Sequence, residues 1–478
     1  MKAGFAETDI TPGVGMETPG GYGKAYGAAI HDALKVRAAV FGDGRQRVAL
    51  VGIDTCGIGE RTVAAARREI AARCGIPGSH VTIAASHTHS GGPLFGALPG
   101  EMADAPALVR ELVFRHSTAA DPLYHAWVVR QIATAVCEAD RRGAEALVSV
   151  GKGHEEGAVS NRRLRMKSGR SVTHPGKGHA GIVAPAGPVD PDVGVLAAWR
   201  PDGQLLGVVV NYACHGTTSP GGISADWIHY LEQTVRSALG PQVVTVFLNG
   251  ACGDVTQVDN RSLNPPEFGE MYARILGTRV GAEALKVLVS AARGPAATVA
   301  AAGTVLRLPR RRPSAASLEA SRALVEKELD APAKSTAWTF AKERLVLDYL
   351  ASKEPEAAVE VQAIQVGPAV FLANPSEYFC QFGLEIKQQS PFPFTFVVEL
   401  ANGAVGYVPT AEAFQASGGG YETVLTSYSN LLPDAGARIA AASLALARQL
   451  TPDQAPQRPQ VTPATESWSY GVLGPELE

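Results

Sequence analysis

Two histidines one residue apart close the stretch Val81-Thr82-Ile83-Ala84-Ala85-Ser86-His87-Thr88-His89-Ser90-Gly91-Gly92. Neutral imidazole is a common zinc ligand, so a His-x-His pair is a reasonable start for a metal site. In an extended backbone residues i and i+2 point to the same side, which would aim both rings at one point. The same pattern also fits one buried, hydrogen-bonded histidine beside an exposed one. The Gly91-Gly92-Pro93 turn that follows lets the backbone come close to whatever binds there.

The run before His87 is apolar and β-branched, the mark of a buried strand. The same arrangement recurs along the chain. Leu205 to Ala213 reads as a strand that exits at Cys214-His215, and Gln242 to Leu248 exits at Asn249. Ala369 to Ala373 exits at Asn374-Pro375-Ser376-Glu377, and Phe394 to Leu400 exits towards Asn402 and Tyr407. In α/β sheets ligands gather beyond the carboxyl ends of strands, so His87, His215, Asn249, Glu377 and the Asn402–Tyr407 stretch are candidates for one site.

Helices alternate with these strands. Arg61 to Cys74 is amphipathic and stops at Gly75-Ile76-Pro77, and helical patterns also cover Pro122 to Arg142, Trp227 to Leu239 and 266–293. Strand, helix, strand at this spacing predicts an α/β fold, a layered sandwich of mixed β-sheets flanked by helices. A helical hairpin over 314–353, broken at Pro332, is inserted between strands. Residues 1–45 are turn-rich for most of their length and suggest a loop lying across a site. Residues 168–195 are rich in Gly, Pro and His and lack periodicity. We expect one catalytic domain over 1–450 and a tail over 451–478.

The 478 residues are 46% hydrophobic and 19% charged, which allows a sizeable core and argues against disorder. A net charge of −3 argues against a general nucleic-acid binder. No apolar run approaches the ~18 residues of a membrane span. The N-terminus has no apolar segment of signal-peptide length, so the expected location is cytoplasmic, although a mature secreted form with its signal removed would look the same. The six cysteines are widely spaced without a C-x-x-C and read as buried thiols.

Taken together, the motifs resemble the catalytic domain of the neutral, non-lysosomal ceramidase family. The matching pieces are Asp9-Ile10-Thr11-Pro12, Ser86-His87-Thr88-His89-Ser90-Gly91, Asn161-Arg162, Ala213-Cys214-His215 and Ile223-Ser224-Ala225-Asp226. They continue with Gly253-Asp254-Val255-Thr256, Pro375-Ser376-Glu377, Gly406-Tyr407-Val408 and Tyr421-Glu422. The resemblance implies a zinc amidase with His87, His215, Glu377 and Tyr407 on the metal. It implies that His89 contacts the substrate or the reacting oxygen and that Arg162 binds substrate. Thr256 stands where the family has a serine, keeping the hydroxyl but stiffened by β-branching.

The residue types support this chemistry on their own terms. Two imidazoles and a carboxylate suit zinc and leave room for water, whose pKa zinc can lower to about 7. Tyr407 could instead hydrogen-bond an oxyanion. His89 could protonate a leaving amine, with Tyr421 and His229 next in line for that role. The chain ends soon after these motifs, so we expect a small polar amide or ester rather than long-chain ceramide. The polar loops at 91–122 and 168–195, with His116, His174 and His179, fit that expectation. Two other readings stay open: a metal-free hydrolase with Thr256 as nucleophile and His89 or His215 as base, and a non-catalytic binding protein on the same scaffold.

Overall fold

Three β-sheets share one central apolar core, and each carries its own pair of helices on the outside. The computed structural model describes residues 1–458 and 460–478. The first sheet runs, in spatial order, Val81–Ala85, Arg47–Ile53, Lys35–Gly42, Lys2–Asp9 and Ala144–Glu145. The second runs Val244–Asn249, Leu205–Tyr212, Asp192–Trp199 and Leu147–His154. The third runs Val299–Pro309, Glu356–Val366, Ala369–Ala373 and Phe394–Val398.

The sheets share a construction. Antiparallel strands lead to one strand that feeds a crossover and returns parallel beside it: Arg47–Ile53 with Val81–Ala85, Leu205–Tyr212 with Val244–Asn249, and Ala369–Ala373 with Phe394–Val398. A parallel pair needs such a crossover. The helices Glu60–Cys74, Trp227–Leu239 and Cys380–Gln389 supply it.

Strands covered on both faces read as continuous apolar runs rather than alternating ones. Along Arg47–Ile53, Val48 and Leu50 face the shared core, while Ala49, Val51 and Ile53 face the helices Glu60–Cys74 and Pro122–Arg141. The shared core also takes Val209 and Val246 from the second sheet and Ile364, Phe371 and Phe396 from the third. Each fully buried side chain of this size contributes roughly 1.5–3 kcal/mol, so the junction of the sheets is the stable base on which the site stands.

Three expectations need correction. Lys2–Asp9 is a strand inside the first sheet, paired with Lys35–Gly42 along its whole length, and only the residues after it form the loop. Its short pattern was masked by the glycine-rich stretch that follows. The 168–195 stretch is not wholly irregular: Ser171–Thr173 and Ile182–Pro185 flank Arg163–Met166 in a small sheet. Asn249 and Asn402 are scaffold groups, because their side chains bond the backbone of neighbouring segments, as described below. The helical hairpin is present as Ala315–Glu328 and Thr336–Lys353, between Val299–Pro309 and Glu356–Val366. After Asp453, which accepts from Ala297 N and Thr298 N, the described residues from Val461 onward are exposed.

A buried charge network braces the segment ahead of the histidines. Arg37 donates to Asp54 at 2.8 Å and to Glu232, and Lys35 donates to Glu232 at 2.7 Å. Asp54 also accepts from Lys35 N at 2.8 Å, which fixes the chain just before Thr55 and Cys56. Burial works to raise the Glu232 carboxyl, but Arg37, Lys35 and Arg236 bring it down to about 2. A depressed carboxylate gives stability that is complete above its unfolded value near 4.5 and is lost as pH falls towards about 2. Glu232→Gln is therefore expected to be less stable at neutral pH by a few kcal/mol (about 1.4 per pKa unit). Its stability should also change less than the parent's between pH 5 and 2. Urea unfolding at pH 7, 5 and 3 checks this; parallel pH curves for parent and variant would refute it.

Candidate metal centre

The backbone brings His87 to the site in a way an extended strand cannot. The strand stops at Ala85 and the chain turns, with Ser86 N donating to Ile53 O at 2.9 Å and His87 N to Thr55 O at 3.0 Å. His87 itself adopts a left-handed conformation with φ 64. The same-side geometry of an extended His-x-His is thus not what aligns the rings. They meet all the same, with Nε2 atoms 3.4 Å apart, because the turn folds His87 back against His89.

His215 arrives from the second sheet. Thr88 pairs with Gly216, and His89 N donates to Gly216 O at 3.0 Å. A Cβ at Gly216 would lie 2.8 Å from His87 O and 2.9 Å from Thr88 Cα, so only glycine lets the two histidine segments lie this close. Glu377 follows the Ala369–Ala373 strand of the third sheet; just beyond that sheet its N–H donates to Gly406 O at 2.9 Å and it pairs with Tyr407 in a separate short parallel ladder. One ligand candidate therefore comes from each sheet.

Nε2 of His87 and Nε2 of His215 lie 3.2 and 3.1 Å from Glu377 Oε2. The three side chains are 3% exposed or less. The other ring nitrogens settle the tautomers. Nδ1 of His87 is 2.7 Å from Cys56 O and Nδ1 of His215 is 3.0 Å from Val255 O. A carbonyl only accepts, so in the neutral rings both Nδ1 atoms carry the proton and both Nε2 atoms present a lone pair. Glu377 Oε2 is buried with no hydrogen-bond partner among the described residues. Without a metal, His87 and Glu377 lean on a proton instead: burial opposes charge on both groups, yet Glu377 holds the His87 imidazole well above its ordinary range, and His87 with His215 holds the Glu377 carboxyl well below its own. With both rings neutral, these three atoms would repel one another unless a cation stood among them, the place a metal ion would take. The second-sphere carbonyls on Nδ1 are the usual means of orienting zinc-bound imidazoles. The donor set fits zinc.

Around this trio lie the other candidate residues. Arg162, buried, donates to His215 Nε2 at 3.0 Å, to Tyr407 Oη at 3.1 Å and to Gly253 O at 2.9 Å. Glu422 accepts from its Nε at 2.9 Å and balances the charge. Tyr407 Oη and Tyr421 Oη are 2.7 Å apart. Burial pushes both phenols up, so they remain protonated and act as hydrogen-bond donors. Burial, with His87 and Arg162 adding to it, holds His89 down to about 3, leaving it neutral. His89 stands next to the trio but makes no carboxylate contact.

Thr256 is placed differently. Its hydroxyl donates to Gln257 Oε1 at 2.7 Å and lies 3.3 Å from Thr217 Oγ1, with no histidine among its partners. A nucleophile needs a base within reach, so this geometry does not support the metal-free reading. Thr256 follows Val255, whose carbonyl holds His215, and belongs to the frame of that ligand. Asn249 Oδ1 accepts from Cys214 N at 3.3 Å, and Asn402 Oδ1 accepts from Ile83 N at 3.0 Å. Asn249 ties a strand end and Asn402 covers the edge of Val81–Ala85, so both serve the backbone. His229 lies beside Asp32 at 3.7 Å, and His116 packs edge-on against Trp338, away from the trio. His174 stands against Asn260 at 3.1 Å, close enough to Arg162 to feel its charge.

Sequence reasoning missed Cys56 and Val255, which act through their carbonyls and so leave no side-chain signal. It also missed Glu399. Glu399 Oε2 accepts from Cys252 N and Tyr378 N, both at 2.9 Å, locking the loop that carries Glu377. Burial raises it to about 8. A glutamate inside the apolar Phe394–Leu400 run was the available clue.

Among solved structures, a ceramidase complexed with C2 superposes with a TM-score of 0.68 at 18% identity, over 95% of this chain and 77% of that one. The neutral ceramidase from Pseudomonas aeruginosa superposes with a TM-score of 0.67 at 19% identity, over 96% of this chain and 76% of that one. The chain has the neutral ceramidase fold. No protein-family model matches the sequence, and no curated protein matches it. No helix among the described residues is long and apolar enough to cross a membrane. Within this ceramidase fold the residue trio, Arg162 and the two tyrosines lie where the three sheets converge, at the ends of the strands that carry the ligands.

Proposed function

We propose that the protein is a zinc-dependent hydrolase that cleaves the amide bond of a small, polar N-acyl substrate. The observation that carries this reading is the buried convergence of His87 Nε2 and His215 Nε2 on the partnerless Oε2 of Glu377 at 3.1–3.2 Å, with both Nδ1 atoms held by carbonyls. The fold shared with ceramidases supports the amide-hydrolase class. His87, His215 and Glu377 would hold the metal, with Tyr407, held by Arg162 at 3.1 Å, as the phenol to complete the set. Zinc held there supplies a Lewis acid and a nucleophilic water at neutral pH.

The chain's own residues do the rest. Arg162, Tyr407 and Tyr421 present fixed N–H and O–H donors on one side, where charge on a carbonyl oxygen would develop. They need no reorganisation, because Glu422 and the tyrosine pair already hold them. His89, neutral and unbonded to any carboxylate, stands with its Nε2 3.4 Å from His87 Nε2, beside the trio, where it would take up a proton and return it to a leaving nitrogen. The hydroxyl-rich surroundings favour a substrate with polar groups over a purely aliphatic chain.

The test is metal analysis followed by assay. Purified protein is expected to contain one zinc per chain, and hydrolysis of N-acyl amino compounds should stop with 1,10-phenanthroline and return with added zinc. Long-chain ceramide in detergent micelles should be a poor substrate by comparison. Chelator-resistant hydrolysis would end the zinc reading, and robust ceramide turnover would end the polar-substrate reading.

A further inference from the structure

The helices Trp227–Leu239 and Glu270–Ser290 cover the outer face of the second sheet, and the longer one is apolar on two sides. Its inner side, with Ala273, Leu276, Val280, Ala284 and Val287, is buried. Its outer side carries Met271, Ile275, Thr278, Ala282, Leu285 and Val289. Met271 is 76% exposed, Ile275 43% and Val289 65%; Thr278 and Ala282 are exposed and Leu285 is half-buried. Single exposed apolar residues need no explanation, but a continuous apolar face on a surface helix marks a partner. The chain's own tail leaves this face free: Arg458 donates to Ser290 O at its end, and the described residues from Val461 onward are exposed.

The spacing says what kind of partner fits. The six outer residues recur at alternating steps of four and three, the a/d seam of a heptad repeat. A seam this narrow suits one packed helix rather than a lipid surface, which takes a wider apolar face. Arg274 pairs with Glu270 at 2.9 Å, Lys286 with Glu283 at 2.7 Å, and Arg279 with Glu155. The charge beside the seam is thus neutralised within the chain. That gives the seam a polar rim and leaves little to attract an anionic membrane or a charged peptide.

The seam is also complementary to itself. Turned end over end about Val280, Met271 meets Val289 of a second copy, Ile275 meets Leu285 and Thr278 meets Ala282. Every a position then faces a d position, and each layer pairs residues of similar size. The smallest layers lie at the centre, where two helices crossing at ~20° come nearest, and larger side chains fill the wedge towards the ends. At about 100° per residue Arg274 and Lys286 fall on opposite flanks of the seam, so this arrangement does not bring them together. Beside the seam a cleft of about 460 Å³, lined by Tyr230, Arg274 and Thr278 among others, lies open to side chains of the second copy. The two helices offer a face about 30 Å long and up to about 20 Å wide, of the same order as the ~800 Å² per partner that a stable interface buries.

We infer that Glu270–Ser290 is the interface of a two-fold symmetric dimer, in which it packs antiparallel on the same helix of a second copy. A two-fold axis makes one patch meet itself, as a seam symmetric about Val280 requires. The inference does not rest on the metal-hydrolase reading.

Light scattering after size exclusion, on the full chain over a roughly hundredfold range of concentration, is expected to show a dimer. Ile275→Arg and Ala282→Arg should each raise its dissociation constant at least about 100-fold, because each sets a charge into two layers of the seam. Circular dichroism of both variants should stay that of the parent, since both positions face solvent within one chain. The arrangement is tested with a short bis-maleimide, read against the parent and its own six cysteines. Ala282→Cys should be joined between copies, its two sites lying ~6 Å apart along the helix axis, whereas Met271→Cys, ~27 Å apart, should not. A monomer at every concentration, whether the seam is covered by the chain's tail or by another protein, overturns the inference. So does a dimer that both arginine variants leave intact, or one in which Met271→Cys is joined and Ala282→Cys is not.

Discussion

Replacing either His87 or His215 by alanine is expected to empty the metal centre. Each supplies one of three converging donors, and each sits in an orientation set by a single carbonyl, Cys56 O at 2.7 Å or Val255 O at 3.0 Å. Losing a partner that merely orients a ligand already costs 10–100-fold in metal affinity, so losing the ligand itself should cost at least that. The variants should also be destabilised when zinc is supplied. The parent gains RT ln(1 + [Zn]/Kd) from binding, and the variants forgo most of it. Elemental analysis after dialysis, together with melting curves with and without zinc, measures both effects. Full zinc occupancy in both variants would sink the metal centre. Tyr407→Phe run alongside shows whether the phenol is a ligand, because it removes the oxygen and keeps the ring.

His89→Ala should behave in the opposite way, keeping zinc and fold while losing rate. His89 lies 3.4 Å from His87 Nε2 but touches no carboxylate, and the trio is complete without it. General acid–base help is typically worth ~10²–10⁴-fold, and the loss should fall on kcat rather than KM. If His89→Ala also empties the site, His89 is a ligand. If kcat is unchanged, the proton donor lies elsewhere. Tyr421 is then the group to examine, because its hydroxyl is 2.7 Å from Tyr407 Oη, whereas His229 is turned towards Asp32.

The strands that carry His87, His215 and Glu377 are apolar runs of β-branched residues, and their local pattern was enough to find them. Their exits were legible for the same reason: a polar residue ends an apolar run where the strand leaves the core. The pattern could not say which exits converge. Asn249 and Asn402 stand at strand exits too, yet Asn249 bonds Cys214 N just past the Leu205–Tyr212 strand and Asn402 bonds Ile83 N on the open edge of Val81–Ala85, each satisfying a backbone group the sheets leave unpaired.

Residue order alone thus determined the α/β class, the helical hairpin and the donor types, since these depend on periodicity and on chemistry carried by single side chains. Tertiary structure alone decided the geometry of the site. The His87 turn at φ 64, the glycine contact at Gly216 and the carbonyls of Cys56 and Val255 all join residues far apart in sequence. Each works through backbone atoms, which every residue possesses, so no pattern of side-chain types can reveal them before the three sheets pack together.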